Sequence, residues 1–147
     1  MGKIMERLFN SLVVVAMFLA AYILTEVYAG RFEGQAYPVV TQVTFTKIDP
    51  VGDTRSRIYG SFYKERGSCD FDDIQFYLGQ PWQGVRVDRV LEEGAKERGG
   101  GYEDFGPWLV QLDAEQFAGR SYAVVEHRCH PFWLTKTIFY NQEGVTN

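Results

Sequence analysis

No charge interrupts the run "LFNSLVVVAMFLAAYILT" between Arg7 and Glu26, and residues 12–24 are wholly apolar. Such a segment has to be buried in protein or in lipid. As a helix, residues 8–28 are about 31 Å long at about 1.5 Å per residue, against about 30 Å for a hydrocarbon core. Lys3 and Arg7 precede the run. That placement keeps the N-terminus in the cytoplasm and exports the rest of the chain, as a single-pass membrane protein with a periplasmic or extracellular domain.

A second reading fits the same residues. Val27-Tyr28-Ala29 has the small-x-small pattern that ends a secretory signal, which gives a secreted protein after cleavage at Ala29. The length of the apolar run and the charge at Glu26 count against it. Both readings export residues 30–147. The chain divides into an anchor or signal segment (1–29), a linker (30–36) and a folded domain (37–147).

Beyond the anchor the hydrophobic period is two. In "YPVVTQVTFTKI", Val39, Thr41, Val43 and Phe45 alternate with Val40, Gln42, Thr44 and Thr46. "RSRIYGSFYK" sets Ile58, Gly60 and Phe62 against Arg57, Tyr59, Ser61 and Tyr63, and "DDIQFYLG" puts Ile74, Phe76 and Leu78 on one face. "VRVDRVL", "PWLVQL", "RSYAVVEHRC" and "FWLTKTIFY" complete seven predicted strands. Aromatics make up 16% of the chain, in keeping with strands. The charged, glycine-rich "EEGAKERGGGYEDFG" reads as a loop, and one helical turn is allowed at 113–117. Seven short alternating strands predict an all-β domain of two packed antiparallel sheets. The net charge of −4, with acids and bases interspersed, excludes nucleic acid as a partner.

The stretch "LDAEQFAGRSYAVV" runs from a strand through a polar turn to Tyr122 and a new strand. It resembles the tyrosine corner of immunoglobulin-like and fibronectin-III-like sandwiches, in which that tyrosine bonds back to the preceding turn. The resemblance implies architecture and no activity. Cys129 lies too far beyond Tyr122 to match the inter-sheet disulfide of antibody domains. Size and layout are similar to those of small uncharacterised bacterial or bacteriophage envelope proteins, from which no function carries over.

Cys69 and Cys129 are the two cysteines, and an oxidising compartment favours their pairing. In the immunoglobulin-like order their two connections share one pole, and that pole, with the 94–106 loop, faces the bilayer. The 49–53 turn, the Trp82 turn, the 113–121 corner and the C-terminus take the far pole. His127 and His130 stand beside Cys129 in "VVEHRCHPFW", yet no C-x₂-C or H-x₃-H spacing accompanies them. A strand end closed by a disulfide and a His130-Pro131 turn is the simpler reading. Trp108 and Trp133 sit in apolar context as core. Trp82, in "QPWQG", is either an exposed contact residue or a ring folded back over the sheet end.

The function expected from these residues is a non-enzymatic, membrane-anchored accessory with no cofactor. It presents a disulfide-stapled sandwich for docking on other envelope proteins. One alternative is a carbohydrate-binding module using Trp82 with a second exposed ring, Tyr102. A second is a metal-dependent enzyme using His127 and His130.

Overall fold

The computed structural model describes residues 2–91 and 99–141. Its first element, α1 (Gly2–Ala36), is one helix of 35 residues. Large apolar side chains along it, including Ile4, Leu8, Phe18 and Leu24, stand exposed. By length and composition it can cross a membrane. The helix runs on past the apolar stretch, so residues 30–36, the expected linker, are its last turns. Tyr37 and Pro38 follow, and the residue before a proline is pushed out of helical geometry.

Among the described residues, eight strands then form two four-stranded antiparallel sheets. β1 (Val40–Pro50), β2 (Ser56–Lys64), β6 (Gly101–Val110) and β5 (Arg89–Leu91) stand in the order β1-β2-β6-β5. β3 (Asp70–Leu78), β4 (Val85–Val87), β7 (Ser121–Arg128) and β8 (Thr135–Asn141) stand in the order β4-β3-β7-β8. The strand count differs from the expected seven because "VRVDRVL" splits at Asp88. Its first half pairs with β3 and its second with β6, so the chain changes sheets there. The predicted 94–106 loop is also shortened. Gly101 already pairs with Lys64, which puts Glu103 and Asp104 in a strand, while 94–98 lie outside the described residues.

The facing inner surfaces meet in an aromatic core. Phe45 makes edge contacts with Phe105, Phe117 and Tyr140, and Phe105 packs on Trp108, Phe62 and Phe139. Ile58, Ile74, Phe76 and Val110 are fully buried among them. The predicted alternation of β2 and β3 holds, with Ile58 and Phe62, then Ile74 and Phe76, turned inward. In β1 it does not. Register shifts between Thr41 and Thr44 and between Phe45 and Lys47 re-aim the strand, so Val40, Val43, Phe45 and Ile48 all reach the core. A further shift in β6 surrounds Gly106, whose φ of 96° suits glycine. A Cβ there would overlap the Ile58 carbonyl.

The allowed turn at 113–117 is a short helix, α2 (Ala114–Arg120). Asp113 accepts from the Gln116 amide at 2.8 Å, and the Gln116 side chain returns to the Asp113 amide, a closed capping box. The corner between α2 and β7 is held by a tyrosine other than the expected one. The Tyr140 hydroxyl pairs with Ser121 Oγ at 2.8 Å, and that hydroxyl donates to the Phe117 carbonyl. Burial pushes the Tyr140 phenol up, out of reach of ordinary pH. Tyr122, by contrast, stacks on Tyr77 and accepts from the Gly84 amide at 3.3 Å, across to the β3–β4 turn.

Candidate functional site

Strand register defines two poles. Lys64 pairs with Gly101 and Asp70 with Arg128 at one; Ser56 pairs with Val110 and Leu78 with Ser121 at the other. The β2–β3 and β7–β8 connections share the first pole. There Cys69 and Cys129 form a disulfide, with Cα atoms 4.3 Å apart and 60 residues of separation. The last turns of α1 dock at this same place.

Glu33 is the centre of the junction. Its Oε1 accepts from Arg66 at 2.8 Å. Its Oε2 accepts from Trp133 Nε1 at 2.9 Å, from Thr135 Oγ1 at 2.8 Å and from His130 Nε2 at 3.0 Å. Arg66 precedes Cys69 in the first connection, and His130 follows Cys129 in the second. One carboxylate on α1 thus bridges the two connections that the disulfide closes. The side chain is 17% exposed, and a charge that far from water is held by charged and polar donors together.

Backbone contact completes the docking. Gly30 and Gly34, one helical turn apart, face β8, the last strand of its sheet. A Cβ on Gly30 would overlap the Leu134 carbonyl oxygen, and one on Gly34 would overlap that of Lys136. Those carbonyls are two residues apart, hence on the same side of the strand. The helix therefore covers an edge that would otherwise offer unpaired groups to another strand. Gly34→Ala is expected to push α1 off β8 and to cost about 1–3 kcal/mol of stability, measurable by denaturant unfolding. Gly119→Ala, where the added methyl meets nothing, is the control.

Trp82 is half-buried. It occupies the turn closed by the Gln83 amide on the Gln80 carbonyl at 3.0 Å, after Pro81. Its φ of 66° is the geometry of the third position in a type II turn, where glycine is usual. Arg31 of α1 lies over the indole, 4.5 Å from the ring centroid. The ring therefore folds back and meets the helix. Tyr102 pairs across from Tyr63 at the disulfide pole, whereas the Trp82 turn follows Leu78 at the other, so the two rings do not form one sugar platform.

The two histidines have separate surroundings. His130 uses both ring nitrogens: Nε2 faces Glu33, and Nδ1 accepts from the Phe132 amide at 3.3 Å, which assigns the proton to Nε2. Trp133, expected in the core, is half-buried at the pole with its indole N–H on Glu33. His127 is buried against the edge of Phe71, and its Nδ1 has no hydrogen-bond partner among the described residues. Burial, with help from the nearby charges of Lys64 and Arg66, pushes His127 down to about 4. Among the described residues no three His, Cys, Asp or Glu side chains gather to hold a metal ion.

His127 makes stability depend on pH. Its folded pKa lies below the ordinary value, so the unfolded chain binds the proton first. Stability is complete above about pH 6.5 and falls as pH drops toward 4, by roughly 2–3 kcal/mol. His127→Phe is expected to flatten the denaturant-unfolding profile over that window.

The junction was missed by sequence reading. Its signal is "AGRFEGQA", a glycine pair at helical spacing with a carboxylate between. No protein-family model, curated protein or solved structure matches this chain.

Proposed function

We propose that the chain is a non-enzymatic accessory of the cell envelope, anchored by residues 8–28 with its N-terminus in the cytoplasm. It presents an immunoglobulin-like sandwich to other envelope proteins on the far side of the membrane. The observation that carries this reading is the junction at Glu33. A domain fastened to its helix by a carboxylate, a glycine face and a closed edge is built to be displayed at fixed height and orientation. An enzyme that meets soluble substrates has no need of that fixture. The strand order, with β1-β2-β6-β5 facing β4-β3-β7-β8, supports the immunoglobulin-like arrangement.

Cross-linking in native membranes, followed by extraction in polymer-bounded lipid discs and mass spectrometry, tests the reading. A recurring protein partner joined to the sandwich is expected. Recovery of the chain with lipid alone, after cross-linking at several reagent lengths, would count against docking.

A further inference from the structure

Among the described residues beyond Tyr28, the exposed large apolar side chains are Phe32, Tyr37, Val85, Val90, Tyr102 and Phe132. All four aromatics in that set belong to the disulfide pole. Phe32 and Tyr37 flank the Glu33 turn of α1, Tyr102 stands one pair from Gly101–Lys64, and Phe132 lies in the β7–β8 connection. They are 70–73% exposed. The far pole exposes no ring of this kind among the described residues, since the half-buried Trp82 ring folds back from its turn there to meet Arg31 of α1. A soluble surface has no reason to gather its exposed rings at the end where an apolar helix enters.

We infer that this pole rests in the lipid headgroup layer, with Phe132 inserted at the boundary between headgroups and acyl chains as a second point of attachment. The inference rests on the anchored reading given above. Glu33 lies about 7–8 Å beyond Tyr28 along the helix, while each headgroup layer is about 5–8 Å deep. The β7–β8 connection is fastened at that level, because His130 and Trp133 bond to Glu33. Phe132 projects from between them, 5.9 Å and 6.2 Å from their rings. Aromatic side chains favour this zone. The surface is therefore continuous with the membrane-crossing helix, and lipid is the partner it fits. Two attachments, the helix and Phe132, stop the sandwich from spinning about the axis of α1.

Spin labels on Ala20→Cys, Asp53→Cys and Phe132→Cys variants of the full chain, in phosphatidylcholine nanodiscs, test this by power saturation with oxygen and a water-soluble nickel complex. Position 20 reports the anchor and position 53 the far pole. The label at 132 is expected to favour oxygen, at a ratio between the two references. A label at 132 as open to nickel as the one at 53 would overturn the inference and leave the anchor intact. Shielding from both reagents, the mark of a protein contact, would overturn it too. Water exposure at position 20 would remove the anchor and the inference with it. Phe132→Trp guards against misfolding of the cysteine variant: acyl-brominated lipid should quench the added fluorescence, and unquenched emission would contradict the proposal.

Discussion

Glu33→Ala is expected to destabilise the protein by about 2–3 kcal/mol, because it removes a charged acceptor from partly buried donors. The loss has two parts. Four donors, on Arg66, His130, Trp133 and Thr135, lose their acceptor, and each stranded polar group costs about 1–3 kcal/mol unless water reaches it. Arg66 is the more forgiving of them, since its side chain is 32% exposed and water can take over. Glu33→Gln keeps the shape and two acceptor sites on one oxygen, so it should fall between wild type and alanine. Denaturant unfolding in detergent micelles, followed by tryptophan fluorescence, measures both. An alanine variant within about 0.5 kcal/mol of wild type, the scatter of ordinary surface changes, would mean that the carboxylate holds nothing.

Removing the disulfide by Cys69→Ala with Cys129→Ala is expected to cost about 4 kcal/mol, from the loop-closure entropy of a 60-residue separation. The effect should exceed that of Gly34→Ala, because the bond joins the connections that lead into β3 and β8. Glu33 spans the same two connections from outside. In the disulfide-free variant the carboxylate becomes their remaining clasp, so Glu33→Ala should then prevent folding at ordinary temperature. Reduction of the wild-type protein with dithiothreitol, followed by the same unfolding measurement, should reproduce the loss without any substitution.

The sandwich was legible because its central strands obey simple alternation. Ile58 and Phe62 in β2, and Ile74 and Phe76 in β3, are spaced two apart and all turn inward. Their neighbours were harder to read for local reasons. Two register shifts in β1 place Val40, Val43, Phe45 and Ile48 in the core at unequal spacing, which no periodic pattern reveals. Asp88 lets one apparent strand serve two sheets. Tyr122 had the right position for a corner, but its hydroxyl was claimed by Gly84, and Tyr140 took the anchoring part through Ser121. Within the site, the pairing of Cys69 with Cys129 followed from the expected export and from an even count. Glu33 did not follow, because its partners lie from 33 to 102 residues away and only the folded topology brings them together. Gly30 and Gly34 looked like linker residues for a related reason. Glycine in an exposed segment reads as flexibility until a carbonyl of another strand occupies the place of its side chain.

Locked at Glu33, α1 and the sandwich should move as one body. Distances between spin labels on Val27→Cys and Asp53→Cys in the full chain in nanodiscs, measured by pulsed electron resonance, address it directly. A single narrow distribution is expected, broadening when Glu33→Ala is added. A broad distribution already present with Glu33 in place would mean that the domain swings freely on its helix, and would contradict it.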